Sequence, residues 1–233
     1  MRKVHLKRKQ AFTLIELLVV ITIIAVLASL ATPAYTRIQE NAKISKDVNN
    51  VRQIILGCRA FSADEEGAFP WGMGDDEESG SEDGSASSSV DAFNDLIPDY
   101  IDSEAIFWIR TKNPDKQSPP IENDELESEE CTFAYCAGQF DTSFSRSPLV
   151  ADGEMDGPGT YGEFHPWLRS RKAVVGFVGG HVKPLKLTQS TPGATVMSED
   201  KQIEDIFQEK SQEEGGESGG LLDTEQSNVL LPE

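Results

Sequence analysis

From Leu17 to Thr36 the chain carries no charge, and most of the positions are apolar. A helix rises about 1.5 Å per residue, so such a run is long enough to cross the roughly 30 Å hydrocarbon core of a bilayer. Farther along the pattern changes while the period holds. Ile44, Val48, Val51, Ile55 and Cys58 recur at spacings of four, three, four and three, which is one apolar stripe on a helix. Lys43, Lys46, Asp47, Asn50, Arg52 and Gln53 fall between them and are expected on the solvated faces. Together the two patterns predict one helix from Phe12 to about Phe61, on the order of 75 Å long. Its first half is apolar all round. Its second half has a single face on which a globular domain can pack, with Cys58 as a small core residue.

Gly67 and Pro70 end this helix. Asp75 to Ser89 is acidic and rich in Ser and Gly, and reads as a flexible surface loop. Val90 to Ile97 predicts a short helix closed by Pro98. Ala105 to Ile109, Thr132 to Ala137 and Pro148 to Ala151 predict short strands, and Asn113 to Glu130 a Pro- and acid-rich connection. Ala173 to Leu187 is the clearest hairpin, two β-rich runs about Gly179-Gly180, a dipeptide that tolerates the positive φ of tight turns. From Thr188 the chain is mostly polar. Glu199 to Lys210 predicts an amphipathic helix on Ile203, Ile206 and Phe207, the stretch after it a disordered linker. Leu221-Leu222 and Val229 to Leu231 are short apolar clusters of the kind that can dock a partner, though such clusters in a tail carry little information. The whole is α+β: a long N-terminal helix, transmembrane and then amphipathic, on a small antiparallel sheet.

The formal net charge is −19 over 233 residues, and −24 once the five basic residues of the first eleven are set aside. Nucleic-acid binding needs basic patches, so no nucleic-acid partner is expected. Three cysteines do not make a disulfide-dense scaffold. Cys131 and Cys136 lie roughly 16 Å apart on a continuous strand, too far for a bridge unless the chain turns between them.

One carboxylate, Glu16, stands inside the apolar segment, and an ionisable side chain in a membrane span usually has a function. A plain signal peptide, cut after Ser29-Leu30-Ala31, does not need it. The residues AFTLIELLVVITIIAVLASLATPAY resemble the N-terminal segment of type IV pilins and type II secretion pseudopilins. In that family a prepilin peptidase removes a short basic leader on the cytoplasmic side and the new N-terminus is methylated. The resemblance places the cut between Ala11 and Phe12, methylation on Phe12, the family's assembly glutamate at Glu16 and its helix-bending proline at Pro33. Ala11 stands where the family usually has Gly. The family glutamate is thought to pair with the N-terminal amine of a neighbouring subunit, which would neutralise both charges and fix the register of the filament.

A second resemblance covers the globular part. VRQIILGCRAFSADEEGAFP, and SPLVADGEMDGPGTYGEFHPWLRSRKAVVGFVGGHVKPL, look like pilin-like proteins that carry a His and a late Asp-Gly motif, an H-X9-DG-like C-terminal region. His165 matches the His. Gly179-Gly180 before His181-Val182 stands where the Asp-Gly turn is usual, so the family's Asp is missing. On this reading residues 1–11 are a leader, 12–36 a transmembrane and filament-core helix, 37–62 its amphipathic continuation, 63–187 the globular domain and 188–233 an acidic, largely flexible tail.

Asp152, Glu154, Asp156, Gly157 and Glu163 follow the spacing of an EF-hand loop at its first, third, fifth, sixth and twelfth positions, a pattern of hard oxygen ligands that suits Ca²⁺. An acidic Gly-rich turn gives the same pattern. His165 and His181 with Asp152 or Asp156 make a second ligand set, for a transition metal, without tight spacing. No nucleophile elbow and no phosphate loop is present, so no enzyme is expected. The expected protein is a pseudopilin of a type II secretion-like filament, single-pass in a bacterial inner membrane with its domain in the periplasm. Its expected partners are prepilin peptidase, other pilin or pseudopilin subunits, the inner-membrane assembly platform and membrane lipid. The alternatives are a type IV pilus subunit for adhesion or DNA uptake, and a membrane-anchored calcium-binding module that never polymerises.

Overall fold

A computed structural model describes residues 13–70, 88–116, 118–208, 221–222 and 228–232. The chain divides into two compact units, residues 1–43 and 44–233. The first unit holds the apolar part of helix α1 (Leu14–Asp64). Its large side chains are exposed on every side, Leu14, Ile21, Leu27 and Leu30 among them. The helix is long and apolar enough to cross a membrane. Four of its hydroxyls are bonded within the helix. Thr22, Ser29, Thr32 and Thr36 each donate to the carbonyl of Val19, Val26, Ala28 and Thr32 in the preceding turn, at 2.7 to 3.1 Å. Hydroxyls bonded in this way can sit in hydrocarbon without a second helix.

The second unit is a five-stranded antiparallel sheet between two apolar layers. Its strands are β1 (Ala134–Ala137), β2 (Pro148–Ala151), β5 (Lys172–Phe177), β6 (Val182–Lys186) and β7 (Asn228–Leu230), in the order β6-β5-β2-β1-β7. A separate hairpin pairs β3 (Met155–Gly157) with β4 (Thr160–Tyr161). The strands alternate as a two-sided sheet requires. Tyr135, Ala137, Val174 and Leu230 enter the cluster that contains Val51, Ile54, Ile55 and Cys58 of α1. Ala134, Cys136, Ala173, Val175 and Val229 enter the opposite cluster. In β2 the register shifts between Pro148 and Val150, and Leu149 and Val150 fall in the same cluster.

The predicted stripe on α1 is the observed one: Ile44, Val51, Ile55 and Cys58 are buried, Val48 packs against them, and Ile54 joins them. Gly176 on β5 lets the helix approach. A Cβ there would lie 2.2 Å from Ile55 Cδ1 and 2.6 Å from Val51 Cγ1. The β5–β6 hairpin forms as predicted and its turn needs both glycines. Gly180 has φ 83°. A Cβ on Gly179 would sit 2.7 Å from the carbonyl oxygen of Ser145.

Several elements differ from the expectation. The short helix α2 spans Ser89–Asn94, begun by a capping box of Ser88 and Asp91. Residues 104–107 form a 3-10 turn, not a strand. Asp47 and Asn50, expected at the surface, are 2 % and 5 % exposed. The largest correction concerns the residues after Leu187. They were expected as a flexible tail with a helix near its middle and then a linker, whose residues 211–220 lie outside the described residues. Instead Leu187, Ala194, Val196, Ile206, Phe207, Leu221 and Leu222 cover the second face of the sheet, with no helix among the described residues there. Val229-Leu230 closes the sheet as an edge strand on β1, Tyr135 opposite Leu230 and Cys136 opposite Val229. Of the expected acidic loop, residues 75–87 lie outside the described residues.

Candidate functional site

Ala11 and Phe12 lie outside the described residues; the first described residue, Thr13, stands just before α1. Its side chain and that of Glu16 form a reciprocal cap. Glu16 Oε2 accepts from the Thr13 backbone N–H at 2.9 Å and from the Thr13 hydroxyl at 2.7 Å. The Glu16 N–H donates to Thr13 Oγ1 at 3.3 Å. This is the Thr-x-x-Glu capping box, which satisfies donors that the first turn of any helix leaves free. The sequence carries it openly as Thr13-Leu14-Ile15-Glu16, a signal the periodicity reading passed over. Both bonds to Glu16 fall on Oε2, and Oε1 takes part in neither. Pro33 lies within the bounds of α1.

The four carboxylates expected around a cation do not converge. Asp152 is buried, and its Oδ1 accepts from the Val174 N–H at 2.8 Å. Glu154 accepts from Asn113 Nδ2 at 2.9 Å and lies 3.8 Å from Lys116 Nζ, itself held by the carbonyl of Cys131. Asp156 and Glu163 are exposed. The short strands β3 and β4 occupy the place of the expected loop. Among the described residues no three His, Cys, Asp or Glu side chains are grouped to hold a metal ion.

The two histidines lie in different settings. His165 is fully buried, its Nδ1 2.8 Å from the carbonyl oxygen of Gly153 and its Nε2 2.8 Å from that of Lys172. It ties the turn after β2 to the start of β5. Burial lowers its pKa to about 4, against the pull of the two carbonyls. His181 is partly exposed and stacks on Phe177 with ring centroids 4.4 Å apart. The cysteines Cys58, Cys131 and Cys136 are free and buried, and burial pushes the Cys131 thiol up to about 11. They are core residues without the thiolate character that reactivity needs.

A buried polar cluster missed in the sequence joins α1 to the sheet. Trp167 Nε1 donates to Asp47 Oδ2 at 2.8 Å, and the Asp152 carboxyl lies close enough to Asp47 to feel its charge. Burial, and next the Asp47 charge, hold the Asp152 pKa well above the usual carboxylate range. Burial and the nearby Asp152 carboxylate likewise push up the Tyr161 phenol. These groups come from positions 47 to 167, and no local spacing connects them.

Compared with known proteins, residues 6–32 match the family described as the prokaryotic N-terminal methylation motif. No curated protein and no solved structure matches the chain significantly. The matched residues contain the basic run Lys7 to Lys9, Glu16 with its cap, and most of the apolar part of a helix long enough to cross a membrane. This N-terminal segment supports a prepilin-type protein of the type IV pilin and pseudopilin kind.

Proposed function

We propose that this chain is a pseudopilin, a structural subunit of a type II secretion-like filament. The observation that carries the reading is the conjunction inside one short segment of the methylation motif, a carboxylate seated on the first turn of α1 and an apolar helix with no other acid before Glu40. In this reading the leader holds the precursor's N-terminus at the cytoplasmic face of the inner membrane and the domain folds in the periplasm. Prepilin peptidase cuts between Ala11 and Phe12, and Phe12 is methylated. Cleavage creates an amine one residue before Thr13, and Glu16 of a neighbouring subunit supplies the countercharge. A buried carboxylate is costly unless it is paired, so this pairing sets the register in which helices enter the filament. Pro33 adapts the helix to its neighbours, and lipid and the assembly platform receive the apolar half before polymerisation.

The mass of the N-terminal peptide of the mature chain, isolated from cells, tests this. A chain starting at Phe12 with one added methyl group is expected. A start at Thr32 would mean ordinary signal-peptide cleavage, loss of the apolar helix and no filament. Deleting the gene then separates the two filament types: lost protein export fits the secretion reading, while lost adhesion or DNA uptake with export intact would transfer the chain to a pilus.

A further inference from the structure

Within the globular unit the outward face of α1 has a charge pattern opposite to the rest of the chain. Arg52, Leu56 and Arg59 follow one another at spacings of four and three, all are exposed, and Leu56 is 61 % exposed. Asn49 accepts from Arg52 Nη1 at 3.1 Å, so that guanidinium lies along the helix. Asp47, the only acid between Lys46 and Ala63, is turned into the core. From Glu65 onward, by contrast, the chain holds 36 acidic and 11 basic residues.

The acidic part contains a shape and charge complement to this stripe. An open groove of about 390 Å³ lies between the 3-10 turns Pro114–Lys116 and Ser128–Glu130. Ile121, 72 % exposed, lines it together with Asp115, Glu127, Glu129 and Glu130. Among the described residues of this unit the exposed large apolar side chains are few: Leu56, Ile121 and, less exposed, Phe140. Two of the three are each flanked by charges of one sign, and the signs are opposite.

We propose that the Arg52–Leu56–Arg59 face of one copy docks in the Ile121 groove of a second copy of this chain. Leu56 meets Ile121 at the centre and the arginines meet Asp115 and Glu129 at the rim. Apolar side chains at the centre supply the contact that excludes water, and the rim charges steer the encounter and fix orientation. The two patches share no residue, so the contact is heterologous. Each copy offers one of each kind, so the contact can repeat from copy to copy, and it builds a filament when the rotation between copies does not close a ring. It extends the filament reading and rests on it, because it gives the globular domains a lateral contact independent of Glu16.

The test uses the full chain in membranes with Leu56→Cys and Ile121→Cys and a short thiol cross-linker. The native cysteines are buried and do not compete. The double variant is expected to give a ladder of multimers. A mixture of the two single variants is expected to give dimers only, and each single variant alone none. Arg52→Glu with Arg59→Glu is expected to lower the yield on the order of tenfold, and Asp115→Arg with Glu129→Arg in the accepting copy to restore it. A missing ladder, a yield indifferent to charge reversal, or cross-linking of Leu56→Cys to itself overturns the proposal. The N-terminal mass from the same membranes reports processing separately. Chains that keep their leader refute the prepilin reading whatever the ladder, and a missing ladder refutes the docking contact whatever the N-terminus.

Discussion

Trp167 and Asp47 stand 120 positions apart in the sequence and 2.8 Å apart in the fold, the indole N–H donating to the carboxylate. Both residues are buried, Asp47 on α1 and Trp167 just before β5. Replacing Trp167 by Phe keeps most of the volume and removes the donor. A buried acceptor that loses its donor costs roughly 1–3 kcal/mol. The thermal unfolding midpoint, followed by circular dichroism, should fall accordingly; an unchanged midpoint would show that the bond does not hold the helix to the sheet.

Asp152 should make stability depend on pH in a direction unusual for a carboxylate. Its pKa is raised in the folded state, by burial first and by Asp47 second. The folded chain therefore keeps a proton that the unfolded chain releases near pH ~3.9, and this contribution to stability declines as pH rises from there towards the raised folded value. Asp152→Asn presents an oxygen to the Val174 N–H and has no charge to bury, so this part of the slope should vanish and neutral-pH stability should not fall. Asp152→Ala leaves the Val174 donor without its acceptor and should be the less stable variant. Denaturant midpoints between pH 4 and 8 decide it: the stability of Asp152→Asn relative to wild type should grow as pH rises, and a difference that stays constant with pH contradicts the assignment.

His165 acts in the opposite sense. Burial holds its pKa near 4, below the ~6.5 of an unfolded chain, with Lys112 adding a smaller push the same way. As pH falls from about 6.5 the unfolded state takes up the proton first, so stability present at neutral pH is lost down to about pH 4. The loss is at most about 3 kcal/mol. It is best measured in the Asp152→Asn background, where the opposing slope is absent. An NMR titration that finds the His165 ring protonated at pH 6 would refute it.

At the N-terminus two roles of Glu16 can be separated. Gln at this position can still complete a capping box, whereas it cannot pair with an amine. Glu16→Gln is therefore expected to yield a processed, helical subunit that fails to assemble, like Glu16→Ala. Thr13→Ala should weaken the cap by about 1 kcal/mol and still assemble. Filaments formed at wild-type level by Glu16→Gln, seen by electron microscopy of sheared cells, would assign Glu16 to the cap alone.

Deleting residues 221–233 should unfold the globular unit. Leu221, Leu222, Val229 and Leu230 are all buried. Each buried aliphatic contributes about 1.5–3 kcal/mol, and their sum rivals the whole stability of a domain, about 5–15 kcal/mol. Rapid proteolysis and loss of sheet signal are expected; a stable truncated domain would mean that the C-terminal segment is a dispensable cover.

Periodic features were legible in the sequence. Ile44, Val51, Ile55 and Cys58 announced the buried face of α1 because helical spacing alone determines it, and β5 and β6 were readable on either side of Gly179-Gly180. Asp47 and Asn50 were misplaced because polar residues on a helix default to solvent, and the Trp167 donor and the Trp108 carbonyl that receive them come from distant positions. The segment from Thr188 was misread for a related reason. Ala194, Val196 and Ile206 pack one at a time on a sheet face already formed, so they show neither period. At the candidate site the helix and Glu16 were evident, and so in retrospect was the Thr13 cap. The Ca²⁺ spacing failed because Asp152 and Glu154 are spent on Val174, Asn113 and Lys116, which spacing cannot reveal.

The β1–β7 pairing also orders events in time. Tyr135 waits for Leu230, ninety-five positions later, to cover its strand edge. On the proposed function, a chain delivered across a membrane from its N-terminal end exposes an open, sticky edge during nearly the whole second half of its export. The subunit becomes self-contained only when residue 230 arrives. That delay is a window in which an escort on the far side of the membrane can hold the domain, and one in which premature strand pairing between neighbouring nascent chains is the characteristic error.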